Sequence, residues 1–234
     1  MTSPSAIELL SRQARLDPYG VNVFVTDTSH AIRMGADVPA PLIPAIRSAF
    51  HELPRRPPHE RPAIIDEFAS LLDLEYQAGP VYRIPPALPL DPSVHVEFDL
   101  ARLVDANPGN WHPIEWRELL AGRLGPVAIA TVGDRVASIC HTPGPVTQLT
   151  AEAGVWTHAD FRGRRFASAT VAAWSHAPFG DRSLFYSTSH DNLSSQRVAA
   201  HSKLIFLGWT HRLARPEDDF LFHPLCSLRS CGRS

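Results

Sequence analysis

Residues 154–174 read GVWTHADFRGRRFASATVAAW, and this stretch decides the fold. Gly154 to Thr157 is a short β-branched and aromatic run, the composition of a strand. A turn follows, and from about Arg164 to His176 the spacing of Phe166, Ala169, Thr170, Ala173, Trp174 and Ala177 puts one apolar face on a helix. A strand that turns straight into a helix leaves the first helical amides without intrahelical partners, and the helix dipole adds positive charge there. Gly163 lets the turn approach a bound group with no Cβ in the way, and Ala167 and Ser168 keep the first helical turn small. Arg162, Arg164 and Arg165 add charge. Such a turn suits a diphosphate; it also reads as an ordinary solvated strand-to-helix connection.

The elements on both sides of this stretch follow a clear order. Val94–Phe98 alternates like a strand, and Ile114–Leu120 is a short helix after Trp111-His112-Pro113. Pro126–Val132 and Arg135–His141 are β-rich runs separated by Gly133-Asp134, a strong hairpin turn. Gln148–Thr157 leads into the deciding stretch. A strand at Ser183–Ser187, a helix at Asn192–Ser202 and a strand at Lys203–Arg212 follow it. Strands succeeded by strand–helix–strand–helix–strand make a mixed α/β pattern.

Proline marks the other boundary. Twelve of the 22 prolines fall between Pro39 and Pro92. The first ninety residues therefore read as short elements joined by stiff turns: a helix near Ala6–Leu16, a strand at Val21–Thr26, a helix near Leu42–His51 and a helix from about Pro62 to Tyr76. Arg83 to Pro92 reads as polyproline-like, too rich in proline for a central strand. The division expected along the chain is a proline-rich N-terminal region over 1–92 and a core over 93–234.

Composition bounds the function. The 234 residues carry 22 basic and 24 acidic side chains, a formal charge of −2, and 44% are hydrophobic, enough for a folded core. Near-neutral charge argues against a dedicated nucleic-acid binder. No apolar run approaches the ~20 residues that span a bilayer. The first residues read as a short amphipathic helix and not as a signal segment. Cys140, Cys226 and Cys231 are too few for a disulfide scaffold, so a reducing cytoplasm is the expected compartment. Lys203 is the only lysine against 21 arginines, a bias of composition that weakens arginine alone as a sign of phosphate binding. Twelve histidines form no pair or Cys/His cluster at zinc spacing, so no metal is expected. His158 reads as a surface residue. Cys140 and His141 are adjacent on a strand and point to opposite faces. Trp111, Trp116, Trp174 and Trp209 read as core or groove-wall residues.

The deciding stretch resembles the acetyl-CoA-binding motif of the GNAT-type N-acetyltransferases, Arg/Gln-x-x-Gly-x-Gly/Ala after a strand. Here it is Arg162-Gly163-Arg164-Arg165-Phe166-Ala167, with Arg165 in place of the middle glycine. A second segment, LFYSTSHDNLSSQRVAAHSKL, resembles the family's fifth strand followed by a helix opening Asn-x-x-Ser, at Asn192 and Ser195. The resemblance covers about Val94–Arg215. It implies a GNAT-like central mixed β-sheet flanked by helices, with a proline-rich N-terminal extension. It implies acetyl-CoA as cofactor, with main-chain contacts from Val155, Trp156 and Thr157 to the pantetheine arm. Arg162, Gly163, Arg164, Arg165, Phe166, Ala167 and Ser168 would then hold the diphosphate, and Asn192 would face the arm. An Asn before a helix is also a good N-cap on its own account.

The implied reaction is acetyl transfer to a primary amine of a small molecule or protein in a ternary complex. The ammonium must lose a proton and the leaving thiolate must gain one. Glu152 is the candidate for the first task, and a mid-strand carboxylate can equally face solvent or an arginine. The family's tyrosine for the second task has no counterpart, because residue 199 is alanine; Tyr186, Ser195, Ser187 or an ordered water remain. Two other readings stand beside this one: a catalytically silent CoA or acyl-CoA binder, and an interaction protein that binds no CoA. Pairing through the C-terminal strand offers a route to a homodimer.

Overall fold

The structure, a computed structural model, describes residues 20–51, 59–61, 65–103, 108, 111, 113–143 and 148–215. The helix expected near Ala6–Leu16 lies outside them. The described chain forms two compact units. One takes 20–83, 185–196 and 205–215, and the other takes 84–184 and 197–204.

In the first unit, β1 (Val21–Val25) and β2 (His30–Met34) form a hairpin whose turn is closed by the Thr26 side chain, which accepts from the Ser29 amide at 3.1 Å. β1 also pairs antiparallel with β10 (Ile205–Ala214), and β10 with β3 (Glu75–Ile84). Phe185–Ser187 of β9 (Ser183–Ser187) lies beyond β3. Every residue of β1 is buried, and its period of two separates two cores. Val21, Val23 and Val25 pack with Ile46 and Phe50 of α1 (Ile43–His51), Ile65 and Phe68 of α2 (Ile65–Leu72), and Leu213. Phe24 turns the other way, onto Val81 and Phe185. Each such side chain stabilises the fold by roughly 1.5–3 kcal/mol.

The sequence reading of this region needs correction at two places. The helix expected to run to Tyr76 ends at Leu72, and Tyr76 is already in β3. β3 has no counterpart in the sequence reading: it is an inner strand although it contains Gly79-Pro80, and it takes in Arg83 and Ile84 from the stretch read as polyproline-like. The physical reason is a close approach of two backbones. The Thr188 amide donates to the Pro80 carbonyl at 3.3 Å, and a Cβ on Gly79 would stand 1.8 Å from the Thr188 carbonyl oxygen.

In the second unit, β4 (Val96–Glu97), β5 (Ala128–Val132), β6 (Arg135–His141) and β8 (Gly154–Thr157) form an antiparallel sheet in that order. One face is covered by α3 (Pro113–Leu120) and the 3-10 turn Leu100–Leu103, with Leu103, Trp111, Leu119, Ile129, Ile139 and Trp156 in the core. α4 (Phe166–Trp174) packs on β5, β6 and β8 from the opposite face and is buried from Ala169 to Trp174. Its end is fixed by the Trp174 indole, which donates to the Pro126 carbonyl at 3.0 Å. The run expected over Gln148–Thr157 is two strands. β7 (Thr150–Glu152) starts where the Ser183 amide donates to the Leu149 carbonyl, and the chain leaves that pairing at Ala153 to join β6 as β8. The proline-rich stretch after β3 makes no strand, and its Leu88 is held at both backbone groups: the amide by Ser175 Oγ at 3.1 Å, the carbonyl by His176 Nε2 at 2.8 Å. The last helix, α5, is Leu193–His201. The architecture is mixed α/β, as the sequence leads one to expect. No described helix is long and apolar enough to cross a membrane.

Candidate functional site

β8 is the outer strand of its sheet. The His158 amide donates to the Ala137 carbonyl at 2.9 Å, and antiparallel pairing alternates, so Trp156 and Gly154 also turn their backbone groups to β6. The N–H and C=O groups of Val155 and Thr157 therefore face the open edge. The Ser138 hydroxyl locks this register, donating to the Trp156 carbonyl at 2.8 Å and meeting Thr157 Oγ1 at 2.9 Å.

The turn beyond β8 has its own framework. His158 Nδ1 accepts from the Asp160 amide at 3.1 Å and caps the 3-10 turn Ala159–Phe161. Phe161 is buried, with the Arg135 guanidinium 4.8 Å and the Arg164 guanidinium 5.9 Å from its ring centre. Asp160 pairs with Arg135 at 2.6 Å, and the hydrogen bond from Arg135 lowers its pKa. Both side chains are more than half exposed, so the pair adds little stability.

Gly163 (φ 75°) and Arg165 (φ 65°, ψ 8°) then take left-handed backbone conformations, and α4 begins at Phe166 with no side-chain cap. Arg165 thus adopts the backbone that glycine favours, at a cost of roughly 1 kcal/mol. Arg162 to Arg165 are exposed, and Phe166, Ala167 and Ser168 are half-buried. The helical ladder starts with the Ala169 amide donating to the Arg165 carbonyl at 3.0 Å, which leaves the amides of Phe166, Ala167 and Ser168 at the helix mouth. An open strand edge, two left-handed turn residues and an uncapped helix start lie within one stretch of fifteen residues, Gly154 to Ser168. That donor set fits a ligand carrying a peptide-like arm and a diphosphate. Glu152, half-buried at the end of β7, precedes it.

Tyr186, Asn192 and Ser195 belong to the other unit, where they form a group of their own. Asn192 Oδ1 accepts from the Ser195 amide at 3.0 Å, the N-cap geometry, and the Tyr186 hydroxyl donates to the Ser195 carbonyl at 3.4 Å. Tyr186 is buried, with the Tyr82 ring 6.4 Å away.

The sequence reading missed a buried polar cluster in the second unit. Trp111 is its hub, with ring centres at 5.3 Å from His141, 5.9 Å from Trp116 and 6.2 Å from Trp156. His141 is 2% exposed, neither of its ring nitrogens has a hydrogen-bond partner among the described residues, and burial pulls its pKa down to about 4. Burial pushes the Glu115 carboxyl up to about 7. The Trp111 indole N–H is close enough to favour the carboxylate, yet neither Trp111 Nε1 nor Glu115 Oε2 completes a hydrogen bond. Burial also raises the Cys140 thiol, on the opposite face. Nothing in the residue pattern marks Glu115, which sits on a short helix where a carboxylate reads as solvent-facing.

No protein-family model matches the chain, and no curated protein sequence matches it. Solved structures do. A protein described as an acetyltransferase from the GNAT family of Novosphingobium aromaticivorans is 18% identical over 60% of this chain and 66% of that one, just under two thirds, with a TM-score of 0.42. A GNAT-family acetyltransferase from Colwellia psychrerythraea is 12% identical over 78% and 75%, with a TM-score of 0.44. A conserved Staphylococcus epidermidis protein of unknown function is 11% identical over 66% and 68%, with a TM-score of 0.48. Among the solved structures to which this chain is similar, then, are GNAT-family acetyltransferases.

Proposed function

We propose that the protein transfers an acetyl group from acetyl-CoA to a primary amine. The observation that carries this reading is the run of an open strand edge, at Val155 and Thr157, into the uncapped start of α4. The edge groups of Val155 and Thr157 would pair with the amides of the pantetheine arm. The amides from Gly163 to Ser168, with Arg162, Arg164 and Arg165, would take the diphosphate. Bound there, acetyl-CoA supplies an activated thioester. Glu152 is assigned removal of the ammonium proton, and Tyr186 or Ser195 the return of one. The cytoplasm is the proposed compartment.

Thermal unfolding with and without millimolar acetyl-CoA tests the cofactor site. Ligand at ~100 times its dissociation constant adds about 2.7 kcal/mol, roughly 5–10 °C for a domain of this size. Gly163→Glu puts a strained backbone and a negative charge in the turn, and should abolish the shift. No shift in the parent overturns the proposal.

A second reading, a silent CoA binder, draws support from Arg165 in the glycine position and from Ala199. It keeps the thermal shift but shows no amine-dependent release of CoA thiol.

A further inference from the structure

The buried cluster around Trp111 is not used by the cofactor site, and its chemistry is specific. Buried polar atoms without partners cost about 1–3 kcal/mol each, and four without a partner among the described residues gather here: Trp111 Nε1, Glu115 Oε2, and both ring nitrogens of His141. Trp111 and His141 are 4% and 2% exposed, so solvent does not satisfy them. No cationic side chain of the described residues acts on Glu115; burial and Trp111 are the influences on its carboxyl. The cluster thus offers a carboxylate oxygen and an imidazole nitrogen as acceptors, grouped with three indoles, one stacked on Trp111 and one edge-on to it, and no cation among the described residues.

Its position ties it to the candidate site. Trp156 stacks on Trp111 at 25° between ring planes, and it belongs to β8. The His141 ring lies under the start of that strand, with Cε1 3.2 Å from where a Gly154 Cβ would stand. Glu115 and Trp116 are half-exposed and Ile114 is exposed, so the α3 side of the cluster borders solvent.

We propose that Glu115, His141 and the indoles of Trp111, Trp116 and Trp156 form a recognition site for a primary ammonium carried on an apolar body. The ammonium donates to Glu115 and His141, and the indole faces stabilise its charge, a cation–π contribution of about 0.5–2 kcal/mol. The inference rests on the transferase reading only in naming this cation as the acceptor; the site itself stands on its own geometry. Trp111 reports directly on it.

The test is a titration of the full chain's tryptophan fluorescence, without acetyl-CoA, using phenethylamine and its uncharged analogue 2-phenylethanol. The expected result is saturable quenching by phenethylamine, with an affinity about tenfold above that for 2-phenylethanol. Glu115→Gln, which keeps the shape of the protonated acid, should erase that preference and leave 2-phenylethanol unchanged. Trp116→Phe should weaken the amine while the unfolding temperature holds. Equal affinity for amine and alcohol, no quenching, or an unaltered preference in Glu115→Gln overturns the site. An acetyl-CoA thermal shift without Glu115-dependent amine binding removes this site and leaves the transferase reading. Glu115-dependent amine binding without the shift does the reverse.

Discussion

Two buried histidines, one in each unit, show what a folded chain does with the same side chain in different company. His211, on β10, is 1% exposed, and its Nδ1 meets the Tyr76 hydroxyl at 2.9 Å with the two rings stacked. The Arg61 guanidinium sits 4.3 Å over the Tyr76 ring, and burial raises the Tyr76 hydroxyl to about 12, so it stays protonated throughout the ordinary range. His141, on β6, is as deeply buried, yet has no partner at either nitrogen among the described residues. The first histidine is a fastening. The second is a polar group taken from water with no hydrogen bond from the described residues in exchange, and stability and binding should tell the two apart.

The largest expected difference is in acid. The His141 pKa falls from 6.5 to about 4 on folding, so the unfolded chain takes up a proton that the folded chain refuses. Its contribution is fully present above pH 6.5 and is lost as the pH falls through about 4, a loss of about 3 kcal/mol. Urea unfolding of His141→Leu between pH 7 and 4 should show that part of the acid loss removed, whatever the change at pH 7. An unchanged slope would place His141 in contact with water. Next in size is Tyr76→Phe, which takes the Tyr76 hydroxyl from His211 Nδ1 and should cost about 1–3 kcal/mol at pH 7. That is roughly 2–10 °C in melting temperature. A neutral outcome would erase the contrast between the two histidines. The smallest is Glu115→Gln, because Glu115 is half-exposed. Its raised pKa works in the opposite sense to His141: the contribution is present below about 4.5 and is lost as the pH rises through about 7. In the parent the two slopes offset each other between pH 4.5 and 6.5. Glu115→Gln should therefore make the acid loss steeper, as urea midpoints across that window would show.

What could be read from the sequence follows the range of the interactions involved. The hairpin at Gly133-Asp134 and the turn at Gly163 are local, and both stand where the residues place them. The helix start at Phe166 is local too, though only the structure reveals that Arg165 takes the glycine-like backbone. β3 escaped because Gly79-Pro80 breaks the local pattern while Thr188, more than a hundred residues on, makes glycine necessary. The break at Ala153 escaped because a continuous β-rich run says nothing about which neighbour each half will pair with. Glu115 and His141 escaped for the same reason. Both gather around Trp111, and an indole stacked on Trp156 and meeting Trp116 edge-on is a tertiary fact with no periodicity to announce it.

The close approach at Gly79 also limits how this chain can change over time. Every substitution of a glycine adds a Cβ, and at this position any Cβ meets a backbone oxygen that cannot rotate away. Neighbouring positions can drift through conservative exchanges, whereas residue 79 has no adjacent step to take. In a library of all single variants it would read as glycine alone, as would Gly208 on β10, where a Cβ would stand 2.1 Å from the Val25 carbonyl oxygen: two fixed points in the first unit's sheet.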